Sequence, residues 1–120
     1  MNNEGWNPGK LLEVSGAYWQ TCTLHAAVKL DLFTELGGLS LNADQLAQSK
    51  DLDSRALAML LDALAAMGLL VKSGDRYANT TASLVFLSKE SDDYLGHMIL
   101  HHHHLVESWS RLDESVKSGK

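Results

Sequence analysis

Residues 53–79, DSRALAMLLDALAAMGLLVKSGDRYAN, decide the fold. Asp51 to Ser54 offers turn and cap residues, after which Leu57, Leu60, Leu61 and Leu64 recur at i, i+3, i+4 and i+7, with Met67 extending the row. That spacing is one apolar face of a helix. Gly68 stands where the helix should stop, because glycine accepts the left-handed backbone of a helix end. Leu69 to Lys72 and Arg76 to Asn79 read as two short strands around the turn Ser73-Gly74-Asp75. Just upstream, Asn42 can cap a helix over Ala43 to Ser49, with Gln45 completing a variant of the capping box. Two helices and then a hairpin predict a mostly α domain, a winged helix-turn-helix with a small β-hairpin wing.

Toward the N-terminus, apolar residues recur at helical spacing through Leu11, Leu12, Val14, Tyr18, Leu24 and Val28 to Phe33 and Leu36. This predicts two helices, or one interrupted near Gly16, closed by Gly37-Gly38. Residues 1–9 are expected to be a disordered lead-in, and residues 10–120 one domain. Toward the C-terminus, Thr80 to Leu87 reads as a connector with one short helical turn carrying Leu84, Phe86 and Leu87. Ser91, Asp92 and Asp93 then suit a helix start, where a cap and negative charge are favoured. A long C-terminal helix is predicted from Ser91 to about Lys117. Leu95, Met98 with Ile99, His102, Leu105 with Val106, Trp109, Leu112 and Val116 form a stripe along it, which puts His102 in an apolar seam.

Composition limits the function. The chain has 120 residues, 45% hydrophobic and 21% charged, which suits one folded domain. A formal net charge of -5 opposes a surface held by phosphate contacts. The helix most suited to enter a DNA groove offers Arg55, Met59, Asp62, Ala63 and Ala66 outward, almost none of the side chains that read bases. Nucleic acid is not an expected partner, although a winged-helix transcriptional regulator is the alternative function. The lone Cys22 cannot form an internal bridge, the start has no export signal, and no apolar run reaches the roughly 20 residues of a membrane span. A cytoplasmic protein with no membrane partner is expected.

His101-His102-His103-His104 invites a metal reading, but consecutive helical side chains point about 100° apart. Only His97, His101 and His104 share a face, with no carboxylate or thiolate at matching spacing, so no metal site is expected. Cys22 and His25 could meet on a helix, yet no orienting acid accompanies them. The glycines form no G-x-G-x-x-G run for a nucleotide cofactor. No catalytic residue and no bound cofactor are expected in this chain.

Tyr18-Trp19-Gln20, His25 through Phe33, the helix-turn-helix, Leu84-Val85-Phe86-Leu87 and Leu105 through Leu112 resemble, in order, the N-terminal part of plant-type and bacterial small-molecule O-methyltransferases. The resemblance covers about residues 10 to 119. It implies a winged-helix dimerisation domain that forms an interlocked homodimer and a substrate lid. It also implies a Rossmann-like catalytic domain, binding S-adenosylmethionine, beyond residue 120. The full-length enzyme would then use S-adenosylmethionine and a small-molecule methyl acceptor, while this chain alone would bind neither. By the same resemblance Ile99, Leu100, Leu105, His101 and His104 would line the acceptor pocket, and Cys22 would reach the partner subunit's pocket. The apolar residues of the first helices and of the final stripe exceed what one small core can bury, so Trp19, Leu24, Trp109 and Leu112 are expected in a dimer interface.

Overall fold

The computed structural model describes residues 5–120. Three helices open the chain: α1 over Pro8–Ser15, α2 over Tyr18–Lys29 and α3 over Leu32–Leu36. Asn7 caps α1, its side chain accepting from the Lys10 amide at 2.9 Å, and Pro8 suits the first turn because it has no amide to orphan. Residues 1–4 of the expected lead-in lie outside the described residues, and helix begins within it, at Pro8.

The block thus holds three helices rather than the expected one or two. The break near Gly16 is present, and a second falls at Asp31, whose φ of 57 is left-handed. Aspartate tolerates that conformation better than most residues, so it turns the chain where no glycine signals a stop. Gly37, at φ 50, ends α3.

Strand β1 (Leu41–Asn42) leads directly into α4 (Ala43–Lys50), and α5 (Ser54–Ala66) follows. The Asn42 side chain accepts from the Gln45 amide at 2.8 Å while Gln45 accepts from the Asn42 amide at 2.9 Å, the reciprocal cap expected from the sequence. Asp53 caps α5, and Gly68 takes φ 83 beyond its end. Strands β2 (Leu70–Ser73) and β3 (Arg76–Asn79) form the wing around Gly74 and Asp75. The sheet has an unexpected third member: β1 pairs antiparallel with β3, Leu41 opposite Tyr77, giving the order β1-β3-β2. A two-residue strand is too short to show alternation.

The core lies where α2, α3, α4, α5 and the sheet meet. Val28, Leu32, Phe33, Leu36, Leu46, Leu61 and Leu64 are its buried centre, each contributing about 1.5–3 kcal/mol on burial. The expected helical turn in the connector is α6 (Thr81–Phe86), capped by Thr80 and anchored by Ser83, whose hydroxyl donates to the Leu69 carbonyl at 2.6 Å.

The last helix departs from expectation at both ends. It does not start at Ser91: residues 88–95 turn, and α7 runs over Gly96–Trp109. Tertiary ties override the local cap signal there. The Leu95 amide donates to the Phe86 carbonyl at 2.7 Å, and Lys89 pairs with Asp31 at 2.9 Å. The helix is also broken at Ser110 and Arg111 before α8 (Leu112–Ser118). Ser110 donates its hydroxyl to the Glu107 carbonyl at 2.6 Å, a local bond that competes with helix continuation.

Candidate functional site

Helix α7 has two faces with different fates. Gly96, Ile99, Leu100, His103 and Val106 are buried or half-buried, and Ile99 and Leu100 pack on the core. Leu95, Met98, His102, Leu105 and Trp109 recur at i, i+3, i+7, i+10 and i+14, and all are exposed. The stripe read from the sequence is therefore split. The apolar seam that holds His102 faces away from the chain's own body, and the histidine that faces inward is His103.

The exposed seam continues into α8 through Leu112 and Val116, the latter 77% exposed. At the other end of the chain, Leu11, Leu12, Val14, Tyr18 and Trp19 are exposed on α1 and the start of α2. Neither α1 nor α8 contains a buried residue. Both are short, and an isolated helix of that length is marginal in water. The overall form reflects this: the radius of gyration is 17.3 Å, against about 13 to 14 Å for a compact chain of this length. Large exposed apolar surface on a folded chain marks an interaction site.

The residues singled out from the sequence fall into two groups. Ile99, Leu100 and Leu24 pack on the core and are partly buried. Leu105, His101, His104, Cys22, Trp19, Trp109 and Leu112 are exposed. The five α7 positions expected at the acceptor pocket, Ile99, Leu100, His101, His104 and Leu105, therefore do not share one surface of the isolated chain. Among the described residues, no three His, Cys, Asp or Glu side chains are grouped to hold a metal ion.

Two arrangements were not legible beforehand. His25 on α2, 4% exposed, meets the His103 ring edge to face at 5.4 Å between centroids. Burial, then the neighbouring His103 and His102, hold its pKa below the ordinary imidazole value. The second is a trio on the wing side. Asp62 accepts from Lys72 at 2.7 Å and from the Tyr77 hydroxyl at 2.5 Å. The hydrogen bonds from Lys72 and Tyr77 hold the Asp62 carboxyl below the usual carboxylate range. This trio borders an open groove of about 590 Å³ that also touches Asp44, Arg55 and Asp75. With three carboxylates against two cations, one of them already paired, the groove is poorly suited to a phosphate backbone. Among the described residues, no helix is long and apolar enough to cross a membrane.

Comparison with known proteins agrees with the winged-helix architecture. The family described as the O-methyltransferase dimerisation domain matches residues 12–89. The tetracenomycin polyketide synthesis 8-O-methyl transferase TcmO of Streptomyces glaucescens is 35% identical over 94% of this chain and 34% of its own length. The structure of an O-methyltransferase family protein from Burkholderia thailandensis superposes with TM-score 0.87 at 34% identity, over 96% of this chain and 34% of that one. PigF, solved with SAH, also gives TM-score 0.87 at 27% identity, over 93% of this chain and 33% of that one. The chain thus spans about a third of the length of these relatives. It belongs to the O-methyltransferase dimerisation domain family.

Proposed function

We propose that this chain is the homodimerising, acceptor-covering part of a cytoplasmic S-adenosylmethionine-dependent methyltransferase that acts on a small molecule. It contributes pocket wall and interface rather than chemistry. The observation that carries this reading is the bare apolar surface on α1, α7 and α8, with Trp19 68% and Trp109 66% exposed. A second copy related by a two-fold axis covers such a surface most simply, because the same patch then serves both partners. Trp19, Trp109 and Leu112 are placed at that interface. Leu24 supports it from the core side, where it packs.

The lid reading uses the two faces of α7. Ile99 and Leu100 anchor the helix on the core, while Leu105, His101 and His104 remain free to border an acceptor held in a catalytic domain. Cys22, exposed on α2, is free to reach toward a partner subunit's pocket. The methyl donor belongs to that catalytic domain, and the solved relative that holds SAH supports its identity. The regulator alternative is not favoured, since Asp62 engages Lys72 on the face that would meet DNA.

Light scattering across a dilution series tests the central claim. The wild-type chain is expected at twice its sequence mass at tens of micromolar, and Trp109→Asp at the monomer mass. A buried, unpaired carboxylate at an interface costs several kcal/mol. A wild-type chain that is folded and monomeric under those conditions would remove the interface, and with it the homodimer.

A further inference from the structure

Helix α7 carries four consecutive histidines, and only His103 turns toward the body of the protein. It meets His25 of α2 with rings 78° apart. Among the described residues, the Nδ1 of His25 is buried without a hydrogen-bond partner. An uncharged imidazole tolerates this site at modest cost, but a charged one would need an acceptor or a carboxylate close by.

The surroundings supply neither. The charged or titratable neighbours that act on His25 are His103 and His102, both from α7. Of the other helices packed on α2, α3 carries Glu35 and α5 carries Arg55 and Asp62, all exposed. Asp62 is already engaged by Lys72 and Tyr77. On α2 itself Tyr18, Cys22 and Lys29 are exposed, Lys29 a full helical turn away from His25, and on α7 His97, His101, His104 and Glu107 are exposed. Helix α7 rests on α2 and the core through half-buried Ile99, Leu100 and His103, with Gly96 its one fully buried residue. Such an element belongs to the part of a structure that opens first.

We propose that the contact of His25 with His103 is a pH-sensitive latch, holding α7 on α2 while the His25 imidazole is neutral and releasing it when His25 takes up a proton from solvent. The sign follows from linkage. Because His25 is held below its ordinary value, the closed arrangement binds fewer protons than the open one. The latch is therefore fully closed above about pH 6.5, the ordinary imidazole pKa, and is lost as pH falls through the lowered value. Any effect on acceptor access rests on the lid reading given above, whereas opening of α7 does not. The two can fail separately.

Amide hydrogen exchange read by NMR on the intact chain, at about pH 7.5 and about pH 5.5 and corrected for intrinsic exchange, tests the latch. Imidazole resonances of His25 and His103 are followed in the same samples. Protection of α7 amides is expected to fall at least about tenfold on acidification, with α4 and α5 changing less than about twofold. His103→Leu is expected to abolish most of the loss, and the exposed His102→Gln to leave most of it in place. Three outcomes overturn the latch: α7 protection independent of pH, parallel loss in α7 and α5, or unchanged sensitivity in His103→Leu. If His103→Leu fails to fold, the wild-type profile decides. Loss confined to α7 and coincident with His25 protonation supports the latch, and anything else overturns it.

Discussion

The side-chain amide of Asn79 donates to the main-chain carbonyl of Phe33 at 2.8 Å, joining the last residue of the wing to a helix 46 positions earlier. The same nitrogen donates to the Gly37 carbonyl at 2.9 Å. Asn79 therefore gives the Gly37 carbonyl a partner at the C-terminal end of α3 and adds a second donor to the Phe33 carbonyl, which already accepts from the Gly37 amide. It locks the wing to the core without using the sheet.

Removing this tie has a defined consequence. Asn79→Ala should lower unfolding free energy by about 1–3 kcal/mol, the usual cost of leaving buried polar groups unpaired. Asn79→Asp should cost more, because it sets a carboxylate against two carbonyl oxygens. Urea denaturation of the three proteins measures both, and equal midpoints would show that the tie carries no weight.

Gly96 lies against Tyr94, and a Cβ built at that position clashes with the hydroxyl end of the tyrosine side chain. Gly96→Ala should force the Tyr94 side chain out of its rotamer and destabilise the start of α7 by about 0.5–1.5 kcal/mol, the cost of an off-rotamer side chain. The double variant Tyr94→Ala, Gly96→Ala should be more stable than the sum of the two single losses predicts. Strict additivity in denaturant melts would contradict the packing.

The wing trio predicts a pH effect of opposite chemical origin to the histidine latch. The Asp62 carboxyl is held low by Lys72 and Tyr77, so its contribution is present above about pH 4, the ordinary carboxylate pKa, and lost as pH falls through the depressed value. Asp62→Asn should flatten the acid limb of a melting-temperature profile. Because Asp62 and Lys72 are both solvent-exposed, the difference should shrink in about 1 M salt. A salt-independent difference would assign the effect to packing instead.

Calorimetric titration of the chain with S-adenosylmethionine should show no saturable heat. No glycine-rich strand-turn-helix for a nucleotide is encoded in these residues. Tight binding would require a cofactor site built from residues assigned above to pocket wall and interface.

Periodicity and caps made much of the fold legible. The leucine row of α5, the reciprocal Asn42 and Gln45 cap, Gly68 as a stop and the Gly74 turn are all local signals, and each appears where the spacing places it. The histidine run was legible as a helical segment for the same reason. Signals of this kind act over one or two turns, so neighbours in sequence suffice to set them.

What failed to show in the sequence depends on residues far apart in it. Asp31 ends α2 without a glycine, and its side chain is paired with Lys89, 58 positions away. The bond between Leu95 and Phe86 cancels a plausible helix start at Ser91. Strand β1 exists because β3 pairs with it.

That α7 carries an apolar stripe follows from its residues alone, because helical spacing is written in consecutive positions. Which side of that stripe lies inside depends on the fold around it. Packing against α2 takes Ile99, Leu100 and His103 inward and leaves His102, Leu105 and Trp109 in water. A helix with apolar residues around most of its circumference can dock by more than one face, so the choice belongs to the surface it meets.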